Sequence, residues 1–281
     1  MDFRQAFLLV FLLLMCNGAA LADFTITPSL NLREEYTDNV YLSHVNKQDE
    51  FITEIYPGFS LLYEAPVWRL DVMYVYNYRY YSNLEESETS SHDIDAKKTI
   101  NIIENLLYID LSDRYESVST DFTIDRTLEG YLDEQSDKNE FRVSPYFIFN
   151  SEGKTPVKIG YAYTNIWYKE DTSVDKEIDT VYLNAVHHLT SRLDLTTDLV
   201  FEEQTSDFGT LKQHKALAGF FYEYAHESRI YAQVGYDWYD TDTNNSGTPF
   251  WKAGIIHTTD RYEFNLETET SYRKILLRTR C

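Results

Sequence analysis

Apolar and polar residues alternate with a period of two along most of the chain after residue 23. The clearest stretch runs from Val67 to Tyr81, where the even positions are all apolar or aromatic. Its odd positions include Arg69, Asp71, Asn77 and Arg79. Since successive side chains of a β-strand point to opposite faces, this stretch predicts a strand with one apolar face roughly 40 Å long. That length suits a strand that crosses a bilayer.

Similar stripes follow further along the chain, and several contain Trp or Tyr at one end, as an aromatic girdle at a membrane surface requires. Their apolar positions are Val157, Ile159, Tyr161, Tyr163 and Trp167; Leu193, Leu195, Leu199 and Phe201; Ala216, Ala218, Phe220, Tyr222 and Tyr224; Ile230, Ala232, Val234, Tyr236 and Trp238; and Tyr262, Phe264 and Leu266. The pattern predicts about 13 strands, from near residues 24–36 to near residues 261–272.

Short and long connections alternate between the predicted strands. Short turns are predicted near residues 64–66, 104–105, 151–155, 190–192, 227–228 and 259–260. Longer polar loops are predicted near residues 37–50, 82–92, 120–138, 170–177, 205–211 and 240–248. Short turns at one end and long loops at the other are typical of an outer-membrane barrel. The sequence therefore predicts an all-β fold, a transmembrane antiparallel up-and-down β-barrel.

The strand count and the end of the chain predict an incomplete barrel. Single-chain bacterial barrels usually have an even number of strands, so about 13 strands imply 14 or more in the complete barrel. The tail from Arg273 to Cys281 is basic and carries no terminal aromatic strand. We therefore expect this end to be truncated or frame-shifted.

Residues 1–22 predict a cleaved signal peptide. Arg4 lies in a short polar start, Ala6 to Met15 is an unbroken apolar run, and Ala20-Leu21-Ala22 is a small-x-small cleavage site. A membrane-spanning helix needs about 20 residues, so the apolar run is too short for an anchor. Cys16 does not indicate a lipoprotein, because Met15 stands where a small residue is expected. The barrel is predicted to occupy residues 23–281, in the cell outer membrane.

Composition narrows the possible partners. The chain of 281 residues has 46 Asp and Glu against 25 Lys and Arg, which gives a net charge of −21. Nucleic-acid binding needs clustered basic charge, so a nucleic-acid partner is not expected. We expect outer-membrane lipid and lipopolysaccharide as partners, with polysaccharide or export machinery as further candidates. Cys281 is the one cysteine of the predicted mature chain, so an internal disulfide is not expected.

One group of residues resembles the parts of a Ser-His-acid hydrolase. The group consists of His187, His188, Ser191, Asp194 and Asp198. A catalytic triad needs its nucleophile, base and acid to converge within hydrogen-bonding distance, together with oxyanion donors. A Gly-rich oxyanion loop does not accompany these residues. We therefore interpret them as polar residues of a rim beside a short turn.

A second group suggests a calcium loop. Its possible oxygen ligands and the glycine beside them are Asp237, Asp240, Asp242, Asn244 and Gly247. The glycine is misplaced for an EF-hand, and Trp251 occupies the position of the bidentate Glu, so a solvated acidic loop is preferred. The sequence thus predicts a protein that is not an enzyme, with no catalytic residues, no cofactor and no metal site.

Other charged and aromatic features are interpreted as surface. The acidic stretches 85–88 and 133–137 predict a mouth that disfavours anions and favours cations or neutral sugars. Arg192, Arg229 and Arg261 follow short turns in three related tetrapeptides and are predicted near lipid headgroups, with a functional arginine ladder as the alternative. The tyrosines of residues 74–81 predict lipid-face packing, with sugar stacking as the alternative.

Several stretches together resemble one known family. They are residues 32–42, with Tyr36-Thr37-Asp38-Asn39-Val40-Tyr41; residues 49–58, which end in Pro57-Gly58; residues 142–146; and residues 249–254. They resemble the PEP-CTERM-system-associated outer-membrane β-barrel family, relatives of porin-like barrels. The resemblance covers most of residues 24–265, and the basic tail departs from it. It implies an outer-membrane location and a link with exopolysaccharide production or export, and it carries no catalytic residues to transfer.

These observations leave several functions open. The leading hypothesis is a non-enzymatic outer-membrane barrel associated with exopolysaccharide production or export, or with PEP-CTERM protein sorting. The alternatives are a general porin-like channel, an outer-membrane hydrolase that uses the rim residues, and a surface adhesin.

Overall fold

A computed structural model describes residues 23–41, 45–84, 87–119, 135–170, 173–241, 244–259 and 261–270. Within these residues the chain forms thirteen β-strands, which confirms the predicted all-β class and strand count. They are β1 (Asp23–Thr37), β2 (Glu50–Ala65), β3 (Trp68–Tyr81), β4 (Glu88–Ile103), β5 (Leu107–Ser119), β6 (Gln135–Phe149), β7 (Val157–Tyr168), β8 (Lys176–His188), β9 (Leu193–Ser206), β10 (Gly209–Ala225), β11 (Ser228–Thr241), β12 (Asn244–Thr258) and β13 (Glu263–Glu269). The predicted signal peptide and the basic tail lie outside the described residues.

The strands form one sheet in which each strand is hydrogen-bonded to its neighbours in sequence. This order confirms the predicted up-and-down antiparallel topology. The first twelve strands have between 12 and 17 residues, and β13 has seven. Among the described residues, β13 is not paired with β1. That part of the chain also contains no helix long and apolar enough to cross a membrane.

The predicted alternation of connection lengths holds in part. The connections after β1, β3 and β7 span positions 38–49, 82–87 and 169–175, whereas the predicted short turn after β6 spans seven positions, 150–156, and is as long as the connection after β7. Two residues, Pro66 and Val67, join β2 to β3, and two others, His226 and Glu227, join β10 to β11. The long connection predicted after β5 falls mainly on residues 120–134, which lie outside the described residues.

Two predicted long loops are wrong. Residues 205–211 form a tight hairpin, because β9 continues to Ser206 and β10 begins at Gly209. Residues 240–248 belong mostly to β11 and β12, which are separated by residues 242–243. Polar side chains do not prevent backbone pairing, so strands extend through polar sequence until the chain turns. At the first hairpin, the φ of 119° at Gly209 is one that glycine adopts without steric cost.

The described chain divides into two compact units. The first comprises the described residues up to Ile102, together with Tyr108–Ser144 and Tyr163–Glu177. The second comprises Ile103–Leu107, Pro145–Ala162 and the described residues from Ile178 onward. In each unit the strand register places apolar positions opposite apolar positions. We call the side of the sheet that carries them the apolar face and the other side the polar face.

The apolar face of the first unit contains a buried cluster. Trp68, Leu70 and Val72 of β3 pack with Ala96 of β4. The ring of Tyr63 stacks on Trp68 with ring centroids 4.2 Å apart, and Nζ of Lys98 lies 4.3 Å from a Trp68 ring centroid. A lipid-facing stripe would be exposed on the surface of the protein. This half of the β3 stripe is buried instead, because side chains on the flanking strands pack against it.

A second buried cluster lies where β2 begins and β3 ends. Val40, Ile52 and Tyr81 form its core. Beside them, the fully buried carboxylate of Glu50 accepts hydrogen bonds from the backbone N–H of Ser82 at 2.6 Å and from the Ser82 hydroxyl at 2.7 Å. Two stretches that carry the family resemblance, residues 36–41 and 49–58, therefore meet at this end of the first unit.

The apolar face of the second unit is exposed along most of its strands. The large apolar side chains exposed there are Ile159, Tyr161, Val181, Leu195, Phe201, Phe220, Tyr222, Ile230, Val234, Tyr236, Trp238, Trp251, Phe264 and Leu266. The register aligns them into continuous rows, because Leu195 lies opposite Phe220 and Val234 lies opposite Trp251. This arrangement matches the faces that the alternating sequence predicts.

Three related tetrapeptides at residues 190–193, 227–230 and 259–262 each lie where a strand begins, and the first and third share one hydrogen bond. The hydroxyl of Thr190 accepts the backbone N–H of Leu193 at 3.0 Å, and the hydroxyl of Thr259 accepts that of Tyr262 at 3.2 Å. The second tetrapeptide begins with Glu227, which has a positive φ of 54° in a tighter hairpin. The repeat therefore predicts where strands begin, whereas the turn type depends on the first residue.

Candidate functional site on the polar face

The backbone pairing of β2 with β3 is interrupted at one point in the first unit. The register pairs Ile55 with Tyr78 and Gly58 with Val75, but the two positions between them are not paired. Pro57 has no backbone N–H to donate, which accounts for the break in the ladder. A Cβ at Gly58 would lie 2.5 Å from the backbone oxygen of Tyr74, so a larger residue there would have to displace the strand. The Pro-Gly pair thus has a defined structural role.

A buried ion-pair network lies beside this interruption. Glu54 is 2% exposed, and its Oε1 forms an ion pair with Arg79, whose Nε lies 2.9 Å away. Its Oε2 lies 3.7 Å from a guanidinium nitrogen of Arg33, which also pairs with Glu35. A buried carboxylate is costly unless it is paired, so both arginines are needed to keep Glu54 in place. Arg33 and Glu54 face each other in the register of β1 and β2.

A polar cavity of about 330 Å³ opens at the interruption. Its lining consists of Tyr56, Asn77, Arg79, Thr89, Ser90, Ser91, Asp93 and Ser117. Asn77 sits where the β2 ladder is broken, and its amide donates to Asp93 Oδ2 at 2.8 Å and to Ser91 Oγ at 3.1 Å. Aliphatic side chains are absent from the lining among the described residues. The cavity is therefore suited to a ligand that is polar on all sides.

The polar face of the second unit carries further hydrogen-bond networks. Asp198 accepts hydrogen bonds from Asn184 at 2.8 Å and from Gln233 at 3.3 Å. Asp237 accepts two from Gln213, at 2.8 and 2.9 Å, and one from the Tyr239 hydroxyl at 2.6 Å.

Further along the same polar face, Glu267 of β13 accepts a hydrogen bond from the Tyr231 hydroxyl and pairs with Lys252 at 3.0 Å. Lys252 also lies 3.9 Å from Glu269. These networks satisfy charged groups on a face that lies opposite the exposed apolar rows.

The structure does not assemble the predicted hydrolase residues into a triad. His188 pairs with Asp194 at 2.7 Å, whereas the adjacent His187 points to the other face and bonds Thr155 at 2.8 Å. Within the described residues, neither histidine is hydrogen-bonded to Ser191, and Asp198 is engaged by Asn184. His187, His188 and Asp198 therefore each have a different bonding partner.

The candidate calcium ligands do not converge either. Asp237 and Asp240 lie on opposite faces of β11, because they are three positions apart and side chains alternate along a strand. Asp237 is buried and already accepts bonds from Gln213 and Tyr239. Asp242 and the side chain of Asn244 lie outside the described residues. Over the part of the chain that the structure describes, no group of three or more metal-ligating side chains occurs.

The remaining surface features are placed as follows. Three exposed arginines lie where alternate strands of the second unit begin, at the same end of those strands. They are Arg192 before β9, Arg229 in β11 and Arg261 before β13. Tyr74, in the tyrosine stripe, lies on the apolar face and its hydroxyl is 2.9 Å from His92 Nδ1. Asp137 belongs to β6 and pairs with Lys169 at 3.5 Å. Residues 85–86 and 133–134 of the acidic stretches lie outside the described residues.

Sequence reasoning missed the Glu54 network and the cavity beside it. Glu54 and Arg79 lie on different strands, β2 and β3, which are joined by a hairpin turn. The period of two shows only that each side chain belongs to a polar face. The one available signal was Pro57, because a proline inside a predicted strand indicates a break in the ladder. Register, which decides that Glu54 lies opposite Arg79, is not readable from the alternation alone.

No known protein-family profile matches the chain, and no curated protein matches it. Among solved structures, it is similar to a loop L8 deletion mutant of OmpT, an outer membrane protein of Vibrio cholerae, with 8% identity, a TM-score of 0.43 and coverage of 88% of this chain and 99% of that one. It is also similar to an outer membrane channel from Pseudomonas putida F1, with 12% identity, a TM-score of 0.41 and coverage of 89% and 97%.

A third similar structure is an anion-selective porin from Comamonas acidovorans, with 8% identity, a TM-score of 0.39 and coverage of 86% of each chain. The resemblance to the PEP-CTERM-associated family stays a prediction.

Proposed function

We propose that this chain is an outer-membrane β-barrel whose apolar face contacts lipid and whose polar face lines a water-filled path. The observation that carries the proposal is the opposite chemistry of the two faces of one sheet. In the second unit, Leu195, Val234 and Trp251 are exposed on one face. Asp198 and Asp237 accept hydrogen bonds on the other.

The exposed rows on the apolar face are difficult to reconcile with water as their surroundings. Soluble monomers rarely expose large contiguous apolar patches, whereas the exposed large side chains of the second unit form rows that continue from strand to strand. Contact with hydrocarbon avoids the cost of hydrating these side chains. From β2 to β12, each strand is hydrogen-bonded to a neighbour on both sides, which is the backbone pairing that a membrane-spanning sheet needs.

The charge of the polar face supports a path for neutral or cationic solutes. Basic groups such as Arg79 and Lys252 are paired with carboxylates, and the chain as a whole has a net charge of −21. An acidic path repels anions and attracts cations. Neutral polar solutes pass without a charge penalty.

The finer part of the proposal is a non-enzymatic role in exopolysaccharide production or export, or in PEP-CTERM protein sorting. The resemblance supports it, and two of the four stretches that carry the resemblance meet around Val40 and Glu50. His187 and His188 point to opposite faces and bond different residues, and among the described residues neither is hydrogen-bonded to Ser191. This arrangement favours the non-enzymatic role over hydrolysis.

Fractionation and planar-bilayer recording test the proposal. We expect the expressed protein in the outer-membrane fraction, resistant to extraction with urea or alkali, and the purified protein to give conductance steps with greater permeability to cations than to anions. A compact soluble monomer in the absence of detergent would overturn the membrane assignment. Preference for anions would overturn the assigned selectivity.

Deletion of the gene tests the finer role separately. We expect less surface polysaccharide or mislocalised PEP-CTERM proteins, with complementation by the full chain. Unchanged amounts and locations of both would refute the finer role while leaving the membrane assignment intact.

A further inference from the structure

The cavity beside Pro57 has the size of a small-molecule site. Its volume of about 330 Å³ lies at the lower end of the range of roughly 300–1,000 Å³ for ligand pockets. It is open on the polar face and backed by the buried Glu54–Arg79 pair. Because that pair and the broken ladder fix its wall, the cavity is held open by the fold.

The lining offers hydrogen bonds of both kinds in almost every direction. On the polar face, the hydroxyls of Thr89 and Ser91 and the planar side chains of Asn77 and Asp93 would each meet a different part of a ligand. Asp93 receives the Asn77 amide through Oδ2, and among the described residues its Oδ1 receives no hydrogen bond. That oxygen is available to accept a ligand hydroxyl. Tyr56 adds an aromatic ring to the wall.

The charges of the lining are already balanced within the protein. Arg79 is paired with Glu54 at 2.9 Å, and Asp93 is bonded to Asn77 at 2.8 Å. An anion would have to compete with Glu54 for the guanidinium, whereas a neutral ligand would not disturb either pair. Several hydroxyl groups on a compact ring satisfy such a lining better than one charged group does.

We infer that this cavity is a binding site for one neutral sugar residue, in which Asp93, Asn77 and Ser91 bind ligand hydroxyls and Tyr56 contacts the ring. The inference rests on the proposed function in one respect, namely that the polar face is open to water-soluble solutes. It adds a substrate class and a location to the path. A chain of sugars would place successive residues at this point as it moved along the face.

The experiment measures binding of glucose, galactose, mannose and N-acetylglucosamine to the purified full chain in detergent, by saturation-transfer NMR and calorimetry. Glucuronate and glycine are the charged and zwitterionic comparison probes. We expect saturable binding of at least one neutral sugar and weaker binding of both comparison probes. Absence of saturable sugar binding, or tighter binding of either comparison probe, would overturn the inference.

Variants locate the site. Asp93→Asn should weaken sugar binding by about tenfold or more, since a hydrogen bond to a charged group is lost, and Ser91→Ala should weaken it less. Asp95→Asn is the matched control, because Asp95 lies two residues away on the same face of β4, pairs with Lys97 at 3.0 Å and does not line the cavity. Equal binding by all three variants would refute this location.

Folding and membrane insertion are followed on the same samples. If Asp93→Asn unfolds, Ser91→Ala still tests the site, because it removes only a hydroxyl. An inserted, conducting protein without sugar binding would overturn this inference and leave the proposed function standing. A soluble protein that binds sugar through Asp93 would support this site and overturn the membrane assignment.

Discussion

Replacing Val234 with arginine distinguishes a lipid-facing surface from a water-facing one. Val234 is the seventh of the fourteen residues of β11, between Ala218 and Trp251 in the neighbouring strands. Its side chain is 63% exposed. In a water-soluble protein, an arginine at so exposed a position would extend into solvent and leave stability almost unchanged.

The expected magnitudes differ enough to measure. Surface substitutions in soluble proteins usually change the free energy of unfolding by less than about 0.5 kcal/mol. On the lipid face of an outer-membrane barrel, arginine at the bilayer midplane costs roughly 2–4 kcal/mol. Val234 lies at the middle of its strand, so the larger value applies if this strand crosses a bilayer.

The assay is reversible urea unfolding of the protein inserted in phospholipid vesicles, followed by tryptophan fluorescence. The matched control is Gln233→Arg, on the polar face of the same strand, where Gln233 donates to Asp198 at 3.3 Å. We expect Val234→Arg to lower the free energy of unfolding by about 2–4 kcal/mol. We expect the control to change it by less than about 1 kcal/mol, because arginine can also pair with Asp198. Equal, small effects of both variants would refute the assignment of the faces.

Three further predictions follow from local contacts. Glu50→Ala should lower the free energy of unfolding by about 1–3 kcal/mol, because the loop after β3 loses its buried acceptor, and Glu50→Gln should lower it less; urea titration of both measures this. Gly235→Ala should cost about 1–3 kcal/mol in the same titration, because its Cβ would lie 2.0 Å from the Ala216 backbone oxygen, and an unchanged midpoint would contradict that contact. Ser191→Ala and His188→Ala should show the same esterase and protease background as the parent chain, and a loss of turnover in either variant would revive the hydrolase hypothesis.

The strands were predictable because their signal is local. Alternation at Val67–Tyr81 or Ile230–Trp238 needs only the chemistry of neighbouring positions, and the structure places a strand at each. The ends of strands were less predictable. Around Ser206 and Gly209, polar residues suggested a loop, but backbone pairing continues to the turn regardless of side-chain polarity.

The candidate site was not predictable to the same degree, since it depends on register. The cavity needs Tyr56 and Asn77 to lie on either side of the interrupted ladder, and it needs Glu54 to meet Arg79. A shift of one residue in the pairing of β2 with β3 would move these side chains to other partners or to the other face. Pro57 indicates an interruption but not which residues of β3 stand across from it.

Alternation also predicts which residues share a face without predicting what that face contacts. Leu70 and Val234 occupy equivalent apolar positions in their stripes, yet Leu70 is buried under Tyr63 and its neighbours whereas Val234 is exposed. Leu70 belongs to a buried cluster against which Tyr63 packs, whereas Val234, which lies opposite Ala218 and Trp251, belongs to no buried cluster among the described residues. Lipid contact is therefore expected of individual strands rather than of the whole apolar face, and most of all in the second unit, where the apolar rows are exposed and the charged groups of the opposite face are bonded.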